Sequence, residues 1–102
     1  MKKLADFQKE IFQNKVKKGF DTKDVGKQII LMTEELGELA SAYKDSDKKP
    51  ARVISNRENI IDAVGDLMVF CLGLCEMLGV DSENVLEKII ENNKNRTHTG
   101  YL

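Results

Sequence analysis

From Ile60 to Val80 the chain is almost wholly apolar, and this run restricts the fold more than any other feature. Its length alone is that of a membrane span, roughly 20 residues. Asp62, Asp66 and Glu76 interrupt it, and a central acid costs roughly 2.5–3.5 kcal/mol on the insertion scale. The alternative is a helix apolar nearly all round, which belongs at the buried centre of a helical bundle. A single proline and the absence of tryptophan agree with an all-α chain. At 102 residues one domain covering 1–102 is expected, a four-helix bundle that a second copy completes.

The balance of 16 basic and 17 acidic side chains leaves a net charge of −1, too small a field to draw in nucleic acid or a membrane. The start "MKKLADFQKEIF" lacks the unbroken apolar stretch of a signal peptide, so a cytoplasmic protein is expected. Cys71 and Cys75 lie one turn apart within the apolar run and are expected to pack in a core. The lone histidine, His98, sits in the polar tail, which leaves little material for histidine chemistry.

Helical spacing predicts four helices. The first runs from about Lys2 to Lys17 and stops at Gly19. The second begins near Asp21 or Thr22 and reaches Asp45, with Ile29, Met32, Leu36, Leu39 and Tyr43 as its stripe. "KDSDKKPARV" then reads as a long loop, and Ser55 with Glu58 as a capping box opening the third helix. Gly79 closes that helix, and Asp81 or Ser82 caps the fourth.

The second and third helices carry the chemistry. In "MTEELGELASAY", Glu34, Glu35 and Glu38 project from neighbouring turns at the edge of the apolar stripe, where a side chain can reach a cleft between helices. Glutamates on a solvated helix face are routine, but Asp62 and Asp66 are not: Asp is a poor helix-interior residue, and two of them stand four apart in the most apolar segment. Buried acids require a cation, a donor or a wet cleft. Gly37, Ala63 and Gly65 are small enough to allow close helix approach there. If the two helices pack together, an all-oxygen donor set converges, which suits Mg²⁺ or Mn²⁺ and phosphate substrates. A di-iron centre would need a Glu-x-x-His element that is absent. For phosphate charge, Lys88, Asn92 and Arg96 form one line at successive i+4 steps, and Lys15, Lys17 and Lys18 cluster before Gly19.

Taken together, Glu34-Glu35-Leu36-Gly37-Glu38 and Asp62-Ala63-Val64-Gly65-Asp66, with "KKGF" before and "KIIENNKNR" after, resemble the MazG-like all-α nucleoside triphosphate pyrophosphohydrolases. The resemblance extends over nearly the whole chain. It implies a helical bundle that forms a homodimer or homotetramer, a Mg²⁺ site, and hydrolysis of a nucleoside triphosphate to monophosphate and pyrophosphate. By position Glu35, Glu38 and Asp66 match metal ligands, and Glu34 matches the first glutamate of E-E-x-x-E. Ala63 departs from the pattern, standing where E-x-x-D has its glutamate, and Asp62 is the substitute one place earlier. On this reading Glu34 or Glu38 orients the attacking water or takes its proton, while Lys88, Asn92, Arg96 and Lys18 hold substrate phosphates. Two alternatives stay open: a nucleotide-binding protein of the same fold without turnover, and a hydrolase of another pyrophosphate compound such as phosphoribosyl-ATP. Phe12, Phe20, Tyr43 and Tyr101 could stack on a base, but scattered aromatics at helical spacing more often belong to a core.

Overall fold

The computed structural model describes residues 1–45 and 57–96. Four helices account for most of them, and no strand occurs among the described residues: α1 Leu4–Lys17, α2 Val25–Asp45, α3 Arg57–Met77 and α4 Ser82–Lys94. The expected long loop with Pro50, the Ser55 cap, His98 and Tyr101 fall outside the described residues.

The chain ends its helices where backbone chemistry requires it. Gly19 (φ 77°) and Gly79 (φ 70°) both sit in the left-handed region that a Cβ disfavours. At the first stop Phe20 N–H donates to Lys15 O (2.9 Å) and Gly19 N–H to Val16 O (3.1 Å). At the second, Val80 N–H donates to Cys75 O (3.0 Å) and Gly79 N–H to Glu76 O (3.1 Å). Both are Schellman closures, which satisfy carbonyls that a helix end would otherwise leave orphaned. Asp81 caps α4 through its side chain, which accepts from Glu83 N–H at 2.8 Å, a bond of about 1 kcal/mol in comparable caps.

Helix α2 begins at Val25, three or four residues later than expected, because two aspartates divide the work. Asp21 Oδ1 accepts from Lys23 N–H (2.9 Å) and Asp24 N–H (3.1 Å), making a turn, and Asp24 Oδ1 then caps the helix by accepting from Lys27 N–H (3.0 Å). These bonds favour the ionised carboxylate and hold Asp21 below the usual carboxylate range.

Helix α3 is central, packing on both α1 and α2, while α4 rests on α1. A polar latch joins these elements. Gln8 is buried; its amide donates to Glu76 Oε1 (2.9 Å) and Val80 O (2.8 Å) and accepts from Ser82 N–H (2.8 Å), tying α1 to the turn between α3 and α4.

The expectation that α3 is buried throughout is corrected. Ala63 is the one buried apolar side chain among the described residues, at 7 % exposure, whereas Met68 is 55 % exposed and Val64, Ile61 and Val69 are exposed as well. The chain turns by 106° between α3 and α4, so α4 crosses the end of α3 and leaves much of its apolar face open. Cys71, expected in a core, is exposed on that face for the same reason, and Cys75 is half-buried. Among the described residues, no single helix is long and apolar enough to cross a membrane.

Candidate active site

Helices α2 and α3 form the closest helix pair, and they run in opposite directions: Leu31 shares a pocket with Val69 and Phe70, while Glu34 and Glu38 share a cleft with Asp62 and Asp66. The i, i+4 spacing on each helix therefore places all four carboxylates on one seam, around a cleft of about 730 Å³. Ala63 lies at the floor, buried where the helices meet. Gly37 and Gly65 have no such role, because a Cβ on either would meet nothing within 4 Å. Their expected part in close approach is thus corrected, whereas Ala63 is buried.

Glu35 does not line the cleft but stands beside it. Its burial is local: Oε2 has lost its solvent and has no hydrogen-bond partner, although the residue as a whole is half-exposed. Desolvation is the largest effect raising its carboxyl above the usual range, followed by repulsion from Glu38 and Asp66, with the charge of Glu34 adding least. Four acids thus interact electrically across the two helices, and among the described residues none that lines the cleft is basic.

A covered carboxylate oxygen without a donor, amid like charges, is the arrangement that a hard cation relieves. The donor set of Glu35, Glu38, Asp62 and Asp66 is all oxygen, which fits Mg²⁺ or Mn²⁺ and not a soft metal. Among the described residues, no group of three or more acidic, histidine or cysteine side chains is placed so that it could hold a metal ion without rearranging. Asn59 and Ser41 also line the cleft. The sequence reading passed over both, although Asn59 lies three residues before Asp62 and Ser41 three after Glu38, the helical spacing of the same face.

The expected phosphate ligands lie elsewhere. Lys88 and Asn92 are exposed on α4, Arg96 is exposed just beyond its end, and none of the three lines the carboxylate cleft of its own chain. Lys18 lines a different pocket, of about 490 Å³, farther along the α2–α3 seam, together with Lys15 and Lys27.

A family model described as phosphoribosyl-ATP pyrophosphohydrolase matches residues 2–93. That family lies within the MazG-like all-α superfamily, so the likeness drawn from the motifs holds at superfamily level. No curated protein and no solved structure matches the chain.

Proposed function

This chain belongs to the phosphoribosyl-ATP pyrophosphohydrolase family, and from that premise we propose that it hydrolyses the α–β phosphoanhydride of a nucleoside triphosphate, releasing monophosphate and pyrophosphate. Family membership gives the coarser statement outright: a pyrophosphohydrolase acting on a nucleotide-like substrate. The observation that carries the finer reading is the cleft with Glu34, Glu38, Asp62 and Asp66 on its walls and the orphaned Glu35 oxygen beside it.

Glu35, Glu38, Asp62 and Asp66 would hold Mg²⁺ or Mn²⁺. A cation held there would supply positive charge against the triphosphate and would make a water molecule more acidic. The rest falls to side chains. Glu34, which also faces the cleft, is free of any ligand duty in this assignment and positions the water; Glu34 or Glu38 accepts its proton as the water oxygen bonds to phosphorus. The bridging P–O bond breaks and pyrophosphate departs. Asp62 takes the place left by Ala63, since both line the same wall.

Lys88, Asn92 and Arg96 serve the phosphates of a neighbouring subunit's site in this reading. Their distance from the cleft of their own chain supports that role, as does the open apolar face of α3, which a homodimer or homotetramer would cover.

A second substrate reading, phosphoribosyl-ATP, is favoured by the description of the matched family. Both readings share the bond cleaved and the pyrophosphate released. The test is product analysis after incubation with Mg²⁺ and a panel of ribo- and deoxyribonucleoside triphosphates together with phosphoribosyl-ATP. Pyrophosphate plus the matching monophosphate is the expected product. Folded protein that binds these compounds but turns none of them over would overturn the reading and leave a binding role.

A further inference from the structure

The open face of α3 gathers sulfur. Met68, Cys71 and Cys75 stand three and four residues apart, so at 3.6 residues per turn they fall within an arc of about 60°. All three line one concavity of about 360 Å³, walled on its other sides by Leu4 of α1 and by Val85 and Leu86 of α4. By the same periodicity Asp62 and Asp66 lie on nearly the opposite side of the helix. The sulfur pocket shares no lining residue with the carboxylate cleft, so soft and hard donors are sorted to separate faces of α3.

The surroundings decide what such a donor set can take. Among the described residues none that lines the pocket is charged, and Ser82 carries the one side-chain oxygen. A hard cation, which needs about six oxygen donors, is poorly served there. Zinc lacks a full tetrahedron of ligands. Thiolate and thioether together select Cu(I), a soft monovalent ion that accepts a linear or trigonal shell.

Both thiols are free, with Cys71 exposed and Cys75 half-buried, so an ion has a way in and a sheltered place to rest. Burial is the largest effect holding the Cys75 thiol above its ordinary range, followed by the charge of Cys71 and then that of Asp81. The second effect places the two sulfurs close enough to act on each other. A thiol held protonated in apolar surroundings is inert. A soft cation between the pair reverses this by neutralising the charge that burial penalises.

An independent observation points to the same place. Ser82 is 3 % exposed and its Oγ has no hydrogen-bond partner, although its backbone N–H donates to Gln8. A buried hydroxyl left unpaired is costly, and this residue lines the sulfur pocket. Its proton is available to a thiolate, the kind of outer donor that fixes and tunes a metal ligand.

We propose that Met68, Cys71 and Cys75 form a Cu(I) site on the face of α3 turned away from the carboxylates, with Ser82 as a positioning residue that donates to a ligating thiolate. Each thiol gives its proton to solvent as its sulfur bonds to the ion. Met68 adds a neutral thioether, and copper keeps its oxidation state throughout. The site is independent of the pyrophosphohydrolase reading, because none of its residues has a part in that reaction.

Anaerobic titration of the purified, reduced protein with Cu(I), in competition with the chelator bicinchoninate, tests the proposal. Wild type is expected to withdraw about one equivalent of copper per chain, with the near-ultraviolet absorbance that a thiolate–copper bond gives. Cys71→Ser and Cys75→Ser should each weaken binding by at least about 100-fold, more than the loss of an outer partner costs, and Met68→Leu by about tenfold. Cys71 is exposed, so its variant keeps the test available if Cys75→Ser fails to fold. Ser82→Ala should weaken binding by roughly tenfold and shift the absorbance band, and Ser82→Thr, which keeps the hydroxyl, should restore both. Wild-type protein that leaves the copper with the chelator, or uptake undiminished in Met68→Leu or in either cysteine variant, would overturn the site. Affinity and absorbance unchanged in Ser82→Ala would overturn the role given to Ser82.

Discussion

Glu35 and Glu38 stand one turn apart on α2, and burial together with the charges of Glu38 and of Asp66 on α3 holds the Glu35 carboxyl above its ordinary range. Glu35 Oε2 is covered and has no hydrogen-bond partner, so Glu35 is the acid of this group that resists ionisation.

The consequence for stability follows from the sign of the shift. A carboxyl raised in the folded state contributes stability below its ordinary range, and that contribution is lost as pH rises through the raised value. At about pH 7 Glu35 is therefore a burden on the metal-free fold. Glu35→Gln is expected to melt at a higher temperature than wild type near neutrality, with the difference closing as pH falls into the ordinary carboxylate range. The variant should also lose the rise in melting temperature that Mn²⁺ gives wild type. Melting curves from about pH 4 to pH 8 check both, and a variant destabilised at neutral pH would refute the repulsion.

Glu38 on α2 and Asp66 on α3 both line the cleft. Glu38→Gln and Asp66→Asn preserve shape and remove charge, so each is expected to reduce turnover by at least about 100-fold, more than the loss typical of an outer partner of a metal ligand. Circular dichroism should remain that of wild type. Undiminished pyrophosphate release from Glu38→Gln would sink its assignment.

In the proposed site Asp62 stands in for the glutamate that Ala63 replaces. Asp62→Asn is expected to weaken Mn²⁺ binding. Ala63→Glu restores the glutamate of the E-x-x-D pattern but places a carboxylate at a buried position, where an unpaired charge is costly. This variant should therefore melt lower than wild type without metal and recover with Mn²⁺, a gain visible by differential scanning fluorimetry. Wild-type metal affinity in Asp62→Asn would remove Asp62 from the site.

Gln8 is a structural test independent of the chemistry. Gln8→Ala would leave the Ser82 N–H and the Val80 carbonyl without their partner, at a cost of about 1–3 kcal/mol for a buried unsatisfied group. A fall in urea midpoint with unchanged slope is expected. A midpoint equal to wild type would show that water replaces the latch.

Much of the fold was legible because it is local. Gly19 and Gly79 mark helix ends through their own φ angles, Asp81 is a cap by the reach of its side chain, and Asp62 with Asp66 must share a face once α3 is a helix. The placement of Glu34 and Glu38 opposite that pair followed from the assumption that α2 packs on α3, which it does. The start of α2 was misplaced by a few residues because Asp21 and Asp24 are both competent caps, and only the backbone path shows that Asp21 makes a turn first.

What the sequence by itself determined is therefore the set of helices, their stops and the seam of acids, all governed by periodicity and by side chains acting on nearby backbone. Tertiary structure alone decided that α3 keeps an exposed apolar face, that Lys88, Asn92 and Arg96 stand away from the acids, and that Lys15 crosses Gly73 to meet Gln28 and Phe70. Those outcomes depend on helix crossing directions, among them the 106° turn into α4. Crossing angles are set by how whole surfaces interlock and not by the spacing of residues along one helix.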